Sequence, residues 1–504
     1  MFWKLSAQSP SPEFARAVKL FSDREWRLNH LYHITDKWGT VCKFELNPAQ
    51  QQLLGDLHYL NIILKARQMG FSTFILLLAL DCCLFNSDFR AGLIADTQTN
   101  AQNLLDRIKF AYERLPDQLK ELRALTIDNA SEIEFSNGSG VEVGVSLRSS
   151  TKNFLHISEY GKVCAKNPDR AAEIRTGALN TLAPKQLCFI ESTAEGRGGD
   201  FFDKCEDAKK LHDVGEAPGV MDYKFHFFPW FRDSTYRLSE LVRLTPDDEK
   251  YFNDLLAEHG IDLDEEQEWW YAAKKREQGD GMRKEYPTTP EEAFMSAKDG
   301  AYFAKELTAL RQRQEIKEYP FETRSLVNTY WDLGVDDSTA IWLHQVLAGK
   351  HRFVGYYEDS GEGIGFYLDW LNKWRARHGA TFGQHYGPHD IEHRMMGENA
   401  ESVKDIAARL GFAFTVVPRT KDKLGSIQRV RSILPQCQFA VPETDGGLKH
   451  LEAYSRDWDD KYGVWKSQPR HDEHSHGADA FMTFVDGWRA PAKRRPAFKK
   501  RSVV

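Results

Sequence analysis

The feature that most constrains this sequence is an apolar segment, a short polar loop and a second apolar segment that follow one another between residues 59 and 80. Residues 59–64 are apolar and β-rich, which predicts a buried strand. Residues 74–80 contain no Gly or Pro and predict a buried helix. A strand, a tight loop and a helix in this order direct free backbone N–H groups at a phosphate chain. The segment therefore predicts a phosphate-binding site.

The loop itself, residues 65–73, keeps part of the usual phosphate-loop pattern, in which Gly, four residues, Gly, Lys and Ser or Thr follow in order. Gly70 and Ser72 keep their places, but Phe71 stands where Lys is usual and Lys65 occupies the first Gly position. We expect Lys65 to reach the β- and γ-phosphates of ATP and the Ser72 hydroxyl to hold Mg²⁺. Taken alone, one Gly and one Ser are more typical of an ordinary helix start after a core strand.

Polar residues at the ends of other predicted elements favour the nucleotide site. Residues 47–52 offer amides suited to the two edges of an adenine. Residues 153–158 predict a strand that ends in Glu159, where hydrolysis needs a group to orient the attacking water. A third strand, residues 186–190, ends in the small and polar residues 191–196, which predicts one parallel sheet with its site at the carboxyl ends. The predicted nucleotide-binding residues are Gln50, Lys65, Ala66, Arg67, Gln68, Met69, Gly70, Phe71, Ser72 and Thr73.

These motifs resemble the motor of a large terminase subunit, the ATP-driven packaging enzyme of tailed double-stranded DNA phages. The resemblance lies in the displaced Lys65, the Ser158-Glu159 strand end and the segment at residues 192–194. It implies a P-loop NTPase fold in which Glu159 is catalytic and Mg²⁺ accompanies ATP. In the family an Asp often precedes the catalytic Glu and orders the Mg²⁺ shell, but Ser158 stands there. This departure leaves Ser72 and water to hold more of the metal, and it weakens the case for strong ATPase activity by the isolated subunit.

Basic residues near the loop are candidates for stabilising charge on the transferring phosphoryl group. Arg67, inside the loop, is predicted to act as an arginine finger in cis, and its alternative role is to bind phosphate without a transition-state effect. Arg148, Lys152 and Arg175 lie near the strand that bears Glu159, so one of them is a candidate for contacting nucleotide on a neighbouring subunit. The sequence does not distinguish among these three.

The composition is that of a multidomain globular protein. A chain of 504 residues predicts two or three domains, and no apolar run is long enough to span a bilayer. A net charge of −7 indicates that any DNA binding uses local basic patches. Seven Cys without C-x-x-C spacing favour a reducing compartment over a zinc ribbon or disulfide frame. The predicted domains are an α/β motor with an N-terminal extension (1–207), a lid and linker (208–320), a nuclease (321–490) and a basic tail (491–504).

The second half predicts three antiparallel strands followed by alternating helices and strands, which is the order of an RNase H-like fold. Asp332 falls on the first strand, Asp390 at the tip of the fourth and Asp479 on the last helix. The large terminase nuclease shares this pattern, which implies that these carboxylates bind Mg²⁺ or Mn²⁺, with two ions expected. Any one of them alone is more typical of a turn or helix cap than of a metal ligand, and it is their joint position in one fold that favours a metal site. Further candidate ligands are Asp336, Glu358, Asp359 and Asp472.

Other polar clusters of the second half allow two interpretations each. The three histidines at positions 471, 474 and 476 suggest zinc, but no Cys accompanies them, so His474 or His476 is expected to orient an Asp or to contact DNA. Basic side chains between residues 419 and 431 either neutralise DNA phosphates or form a solvated helix face. The basic tail either contacts DNA or the portal or is a flexible terminus. The basic side chains are Arg419, Lys421, Lys423, Arg429 and Arg431.

The sequence therefore predicts an ATP-driven translocase of double-stranded DNA that also carries a metal-dependent endonuclease. The expected partners are DNA, a portal protein and a small terminase subunit, with a homo-oligomeric ring on the procapsid or a monomer in solution. The expected location is the host cytoplasm, without membrane contact. Two alternatives remain, a DNA helicase or restriction-type translocase and a structural portal-docking protein with a decayed motor. The three aspartates disfavour the first, and Glu159 with Ser72 disfavours the second.

Overall fold

The computed structural model describes residues 12–148, 150–295, 300–334, 338–393, 401–419, 422–459, 464–472 and 474–488. Residues up to 299 and residues from 300 onward form two separate compact units. The predicted boundaries at residues 207 and 320 do not coincide with this division. Residues 223–228 of the predicted connector join the sheet of the first unit, whereas residues 304–312 belong to the second unit. The basic tail and Lys421 lie outside the described residues.

The first unit is built on a mixed sheet with helices on both faces. Its helices are α1 (Pro12–Ser22), α2 (Arg24–Leu31), α3 (Pro48–Gly55), α4 (Phe71–Phe85), α5 (Gln98–Glu113), α6 (Asp117–Leu122), α7 (Tyr160–Lys166), α8 (Pro168–Thr176), α9 (Asp200–Asp213), α10 (Pro246–His259), α11 (Glu265–Gln278), α12 (Met282–Glu285) and α13 (Pro290–Ala293). Its strands are β1 (His33–Thr35), β2 (Val41–Lys43), β3 (Leu60–Lys65), β4 (Arg90–Ile94), β5 (Leu125–Asp128), β6 (Glu132–Phe135), β7 (Gly140–Gly144), β8 (Lys152–Ser158), β9 (Leu182–Ser192) and β10 (Tyr223–Phe228).

The strand order of the main sheet brings the predicted site strands together. The order is β10-β3-β9-β8-β4-β7-β6-β5, and the strands from β10 to β7 run parallel. The β6–β7 pair is antiparallel and is joined by a turn at Asn137-Gly138. β3, β9 and β8 are direct neighbours, so their carboxyl ends meet at one edge of the sheet. The predicted P-loop NTPase type of α/β fold is confirmed, and the predicted site residues lie at this edge.

Helix α4 is apolar on all sides because it is enclosed by the core, and its one buried charge is Asp81. Two groups from the N-terminal extension satisfy that carboxylate. Arg27 donates from Nε to Asp81 Oδ1 (2.8 Å) and from Nη2 to Oδ2 (2.6 Å), and the Tyr32 hydroxyl donates to Oδ1 (2.9 Å). This bidentate pair fixes α2 against the helix that follows the phosphate loop.

Several aromatic side chains between residues 230 and 292 pack on one another within the first unit. Trp270 stacks on Trp230 with ring centroids 4.9 Å apart and on Tyr236 at 4.7 Å. The buried Glu292 accepts hydrogen bonds from the Tyr251 hydroxyl, at 2.9 and 3.0 Å to its two oxygens. Because of this aromatic packing, the predicted lid residues belong to the hydrophobic core of the first unit.

The second unit contains its own sheet, which α19 packs against. Its order is β11-β17-β14-β13-β12-β15-β16. Its helices are α14 (Ala304–Gln312), α15 (Ile364–His378), α16 (Val403–Arg409), α17 (Lys423–Ile433), α18 (Asp445–Ala453) and α19 (Ser475–Gly487). Its strands are β11 (Ile316–Lys317), β12 (Val327–Asp332), β13 (Ser338–Leu347), β14 (Lys350–Ser360), β15 (Phe382–Pro388), β16 (Phe414–Val417), β17 (Cys437–Ala440), β18 (Arg456–Asp459) and β19 (Val464–Pro469).

The topology of this second sheet follows the predicted RNase H-like order. β12, β13 and β14 form an antiparallel meander, and β15 pairs with β12 in parallel. The indole of Trp342 on β13 donates to the Gly477 carbonyl at 2.9 Å and so anchors α19. The predicted fold class is confirmed. Two further features were not predicted from the sequence: β17 extends the sheet beside β14, and β18 and β19 form a separate hairpin.

No helix within the described ranges combines the length and apolar character needed to cross a membrane. All seven cysteines are free thiols, and six of them are buried.

Candidate functional site

Three adjacent strand ends of the first unit bring the predicted site residues together. In the register of the sheet, Leu64 on β3 lies opposite Ser192 on β9, and Ser158 on β8 lies opposite Glu191. The residues that end these strands therefore meet next to the N-terminus of α4. This edge of the sheet is the candidate nucleotide site.

Lys65 is the cation at the centre of this site. Its side chain is 6% exposed, and its Nζ lies 3.1 Å from Glu191 Oε2 and 3.4 Å from Glu159 Oε1. Burial disfavours its charge, but the two carboxylates, Glu191 first, outweigh burial and raise the pKa of Lys65. Lys65 is therefore a fixed positive charge at the start of the loop, as the sequence predicted for a phosphate-binding lysine.

Glu191 is a site residue that the sequence analysis did not single out. It is fully buried, and its Oε1 accepts from the Ser72 hydroxyl (2.6 Å) and the Ser158 hydroxyl (2.8 Å), with His156 Nε2 at 3.3 Å. Burial opposes its ionisation, but Lys65, His156 and Ser72 hold the pKa of Glu191 well below its usual range. A carboxylate at the end of an apolar strand was the signal available in the sequence.

Glu159 lies at the turn between β8 and α7 in the left-handed region, with φ of 55°. A left-handed conformation is uncommon for a non-glycine residue, and such strain is typical of functional positions. One carboxylate oxygen faces Lys65, and the other lies 2.7 Å from Lys162 Nζ. Its side chain is 25% exposed, whereas that of Glu191 is fully buried, so Glu159 is the more accessible of the two carboxylates.

The loop presents backbone N–H groups at the start of α4. Gly70 adopts φ of 75° as the N-cap, and no side chain caps the helix. The first N–H groups of a helix, here those of Phe71, Ser72 and Thr73, have no partner within the helix. Buried hydroxyls of Ser192 and Thr193 at the end of β9 likewise lack a hydrogen-bond partner among the described residues. Free donors beside a lysine are the requirements of an anion site.

Gln50 supports the loop from below. Its Nε2 donates to the Gly70 carbonyl (2.9 Å), and its Oε1 accepts from the Asn47 backbone N–H (3.0 Å). Asn47 Nδ2 donates to the Met69 carbonyl at 3.2 Å. A Cβ at Gly70 would lie 2.8 Å from Gln50 Nε2, so this contact requires glycine. In this structure the Gln50 amide holds the loop, and its predicted contact with adenine remains a prediction.

The remaining loop residues divide between packing and exposure. Phe71 is fully buried and packs on Phe228, with ring centroids 4.3 Å apart. Ala66 and Met69 are also buried, whereas Gln68 is exposed in a left-handed conformation with φ of 58°. Phe71 therefore contributes packing at the position that usually carries the lysine.

Arg67 contacts Glu285, the last residue of α12. Its backbone N–H donates to the Glu285 carbonyl (2.8 Å), and its Nη1 lies 3.1 Å from Glu285 Oε2. The Glu285 carboxylate raises the pKa of Arg67, whose side chain is 54% exposed. The Tyr236 hydroxyl donates to the Arg67 carbonyl at 2.5 Å. To act as the predicted arginine finger, this side chain must exchange Glu285 for phosphate.

The three candidates for a finger in trans also have partners in their own chain. Lys152 is buried, with its Nζ 2.5 Å from Glu142 Oε2. Arg148 pairs with Glu173 and Arg175 with Asp200, and both arginines are more than half exposed. Burial removes Lys152 from reach of another subunit.

In the second unit, the structure brings Asp332 and Asp479 close to one another. Asp332 ends β12, and His476 Nδ1 of α19 lies 3.3 Å from its Oδ2. Burial raises the pKa of Asp332, His476 opposes that shift, and the Asp479 charge adds to it. Asp479 itself lies 2.5 Å from Lys423 Nζ. Asp332 and Asp479, together with the His476 imidazole and the Lys423 ammonium, form the candidate nuclease site.

Asp390 makes its polar contacts with two histidines of its own turn. It follows β15 in a short turn, and its Oδ1 lies 3.0 Å from His389 Nε2 and 3.5 Å from His393 Nδ1. Its side chain is 51% exposed. Within the described ranges, no three acidic, His or Cys side chains are grouped so as to hold a metal ion. The predicted set of three ligands is thus not assembled in this structure.

The other candidate ligands have separate partners. Glu358 lies 2.6 Å from His450 Nε2 and accepts from the Tyr356 hydroxyl, and His450 also contacts His474 at 3.3 Å. Asp359 accepts from the Tyr357 hydroxyl. Asp472 accepts from the His474 backbone N–H just before α19, and Asp336 lies outside the described residues.

The basic side chains predicted to meet DNA are largely used in ion pairs. Arg429 pairs with Asp486 at 2.8 Å and Arg431 with Glu306 at 2.9 Å, in addition to the Lys423 pair. Arg419 lies outside this helix, in the segment that follows β16. The paired side chains favour a structural role for most of this helix face.

The chemistry of both sites suits divalent cations. The Ser72 hydroxyl donates a hydrogen bond to Glu191, so the lone pairs of its oxygen remain for a hard cation such as Mg²⁺. Asp332 and Asp479 offer carboxylate oxygens whose mutual repulsion a divalent cation would relieve. The chemistry of Ser72 at the first site and of the Asp332–Asp479 pair at the second therefore suits a divalent metal, and Asp390 remains the predicted third ligand of the second.

No protein-family model matches the sequence, and no curated protein matches it. Among solved structures, the chain is similar to the large terminase of bacteriophage HK97, with 11% identity, a TM-score of 0.44, and coverage of 91% of this chain and 98% of that one. It is similar to the large terminase of a thermophilic bacteriophage in complex with ATP-γ-S, with 13% identity, a TM-score of 0.29, and coverage of 84% and 93%.

A structure of a single nuclease domain is also similar to part of this chain. The nuclease domain of the large terminase of bacteriophage SPP1, with bound Mn, covers 33% of this chain and 92% of its own length, with 13% identity and a TM-score of 0.26. Large terminases of several phages are thus among the solved structures to which this chain is similar, some matched along most of the chain and some over about a third of it.

Proposed function

We propose that the chain is an ATP-driven translocase of double-stranded DNA that also cuts DNA with divalent metal, the function of a large terminase subunit. The observation that carries the proposal is the convergence of Lys65, Ser72, Glu159 and Glu191 at three adjacent parallel strand ends, beside the uncapped N-terminus of α4. This arrangement supports a nucleotide site. Asp332 and Asp479 support the second activity.

In the first unit, each residue of the cluster has a distinct task in hydrolysis. The N–H groups of Phe71, Ser72 and Thr73 and the Lys65 ammonium bind phosphate oxygens of ATP. Glu159, the more accessible of the two carboxylates, orients the attacking water and accepts its proton. Bound Mg²⁺ would neutralise charge on the β- and γ-phosphates. Lys65 also holds Glu159 toward the site, because their ion pair joins β3 to the end of β8.

In the second unit, Asp332 and Asp479 would hold the divalent ion at the junction of β12 and α19. His476 positions the Asp332 carboxylate through its Nδ1. Lys423, which neutralises Asp479 in this structure, is suited to move to a DNA phosphate when a metal replaces it. A two-ion arrangement, with Asp390 as a ligand of one ion, completes the proposal for this site.

The proposal extends to partners and location. A packaging motor acts on double-stranded DNA with a portal protein and a small terminase subunit, as a homo-oligomeric ring on the procapsid in the host cytoplasm. The supporting feature is sequence resemblance at the motor motifs together with the two-unit architecture.

The test uses the purified full chain with linear and supercoiled plasmid DNA. ATP hydrolysis is measured with and without DNA, and cleavage with Mg²⁺, with Mn²⁺ and with EDTA. We expect hydrolysis stimulated by DNA and cleavage that depends on the metal. The variant Asp332→Asn, purified identically, controls for contaminating nucleases. Hydrolysis with strand separation but no cleavage would favour the helicase alternative, and neither activity would favour the structural protein.

A further inference from the structure

The end of β8 lacks the acidic residue that the terminase resemblance leads one to expect before Glu159. Ser158 occupies that position, and its hydroxyl donates to Glu191 Oε1 at 2.8 Å. In the sheet register Ser158 and Glu191 are direct partners across β8 and β9. A carboxylate is therefore present at the expected level of the sheet, but it is supplied by the neighbouring strand.

Glu191 also contacts the loop residue that is expected to bind the metal. The Ser72 hydroxyl donates to Glu191 Oε1 at 2.6 Å, within the range of a charge-assisted O–H···O⁻ bond. A hydroxyl that donates its hydrogen bond to a carboxylate keeps its oxygen lone pairs for a cation. Fixing a ligand's orientation through a hydrogen bond is what the outer-shell partners of metal ligands do.

The simpler role for Glu191 is to neutralise the buried Lys65. The contacts separate the two roles, because they use different oxygens of the carboxylate. Lys65 Nζ approaches Oε2 at 3.1 Å, whereas the Ser72 and Ser158 hydroxyls and His156 Nε2 converge on Oε1. Charge neutralisation alone does not require hydroxyl donors from two other elements.

We propose that Glu191 is the positioning carboxylate of Mg²⁺ at the nucleotide site, replacing the acidic residue that Ser158 leaves out of β8. The assignment rests on the proposed nucleotide-binding function. Glu191 orients Ser72 toward the ion, and its fixed negative charge favours the ion's water shell. The sheet thus provides the catalytic carboxylate from β8 and the metal-organising carboxylate from β9.

The test measures how much Mg²⁺ strengthens nucleotide binding rather than hydrolysis. ADP binding to the full chain is measured by titration calorimetry in Mg²⁺ and in EDTA, and the ratio of the two affinities is the Mg²⁺ gain. Glu191→Asp keeps a negative charge beside Lys65 but is one methylene shorter, so it withdraws from Ser72. Glu195→Asp is the matched control, since Glu195 is also buried and pairs with a lysine, Lys284, at 2.5 Å.

We expect Glu191→Asp to lower the Mg²⁺ gain by about tenfold or more, the scale of losses in outer-shell variants, with affinity in EDTA little changed. Glu195→Asp should keep the full gain. An unchanged gain in folded Glu191→Asp would overturn the assignment and leave Glu191 as a counter-ion of Lys65. A chain that binds no ADP under either condition would overturn the proposed nucleotide site itself, so the two failures are distinguishable.

A double-variant comparison gives an independent decision. If Glu191 acts through Ser72, then Ser72→Ala and Glu191→Asp remove the same interaction, and the double variant should lose no more Mg²⁺ gain than the larger single loss. Additive losses would mean that the two residues act separately, which overturns the positioning role. Thermal melting confirms that each variant is folded at the temperature of the titration.

Discussion

Glu191 and Asp332 are both carboxylates near the ends of central strands, but their surroundings shift their pKa values in opposite directions. Lys65, His156 and the Ser72 hydroxyl hold the pKa of Glu191 below its usual range despite complete burial. Burial and the nearby Asp479 raise the pKa of Asp332, against the opposing effect of His476. In the first site a buried lysine lies against Glu191 itself, whereas in the second the lysine, Lys423, pairs with Asp479 and Asp332 has an imidazole as its partner.

This difference indicates how each site becomes active. In the first, charges of the protein assemble the carboxylates before a ligand arrives, which lowers the reorganisation needed at the moment of reaction. In the second, the Asp479 charge adds to the raised pKa of Asp332, so a divalent cation would stabilise the two carboxylates together as well as serve the proposed cleavage. The first site should therefore tolerate metal removal without rearrangement, and the second should not.

The largest expected effect is the loss of ATP hydrolysis in Glu159→Gln. The amide keeps the shape of the side chain but cannot accept a proton, so hydrolysis should fall by about two to four powers of ten while nucleotide binding persists. Steady-state hydrolysis and ADP titration check this, with the exposed Glu216→Gln as control. Hydrolysis at the parental rate would show that the end of β8 does not contain the catalytic carboxylate.

The next effect separates the two sites by their chemistry. Asp332→Asn, Asp390→Asn and Asp479→Asn should each lower plasmid cleavage by about 100-fold or more, because loss of a ligand should exceed the 10–100-fold cost of outer-shell changes. ATP hydrolysis should survive in all three, since the nucleotide site lies in the other unit.

Both assays are run on the same purified variants, with folding checked by thermal melting. Persistent cleavage by Asp332→Asn at saturating Mn²⁺ would contradict the two-metal assignment. Persistent cleavage by Asp390→Asn alone would remove only that residue, in keeping with its separate histidine contacts. Loss of ATP hydrolysis together with cleavage would contradict the independence of the two units.

A third pair of substitutions tests the displaced lysine. Lys65→Ala should weaken ATP binding by at least about tenfold, because it removes a buried phosphate-binding charge, whereas Phe71→Ala should leave affinity nearly unchanged. Phe71→Ala should instead lower the free energy of unfolding by about 3–5 kcal/mol, the cost of truncating a buried phenylalanine. Nucleotide titration and chemical denaturation distinguish them, and the opposite ranking would mean that the loop register is wrong.

The smallest expected effect concerns pH and the sheet of the first unit. Burial lowers the pKa of His226 on β10 to about 4, below its value of about 6.5 in the unfolded chain. The unfolded chain therefore binds more protons between these values, and stability is lost as pH falls from about 6.5 to 4, by about 1 kcal/mol per pH unit.

The variant His226→Gln keeps a donor for Asn61 Oδ1, which lies 3.1 Å from His226 Nε2, but it does not titrate. Its melting temperature should fall less between pH 6.5 and pH 5 than that of the parent chain. Equal pH dependence of the two proteins would assign the acid sensitivity to other groups.

Much of the fold could be predicted from the sequence because its elements have strong local patterns. The strand–loop–helix around Lys65 and the meander whose first strand ends in Asp332 are examples. Glu191 could not be identified in this way, since its role depends on Ser72 and Ser158, which meet it only through the strand order. Sequence spacing does not show which strand lies between two others.

The same limitation applies to side-chain partners. Gln50 is placed correctly before β3, but its amide supports the Gly70 carbonyl, a contact that depends on how α3 packs under the loop. Asp390 falls at the predicted strand end, but the two histidines beside it, and not its distance along the chain, determine where its carboxylate points.

The bidentate contact between Arg27 and Asp81 has a consequence for any attempt to shorten the protein. Asp81 is fully buried in the middle of the helix that follows the phosphate loop, and its compensating groups come from the N-terminal extension. A motor fragment that starts near residue 40 would leave this carboxylate unpaired in the core, at a cost of about 3–5 kcal/mol. Replacing Asp81 with Leu in the same fragment would remove the buried charge, so a smaller motor requires that substitution as well as the truncation.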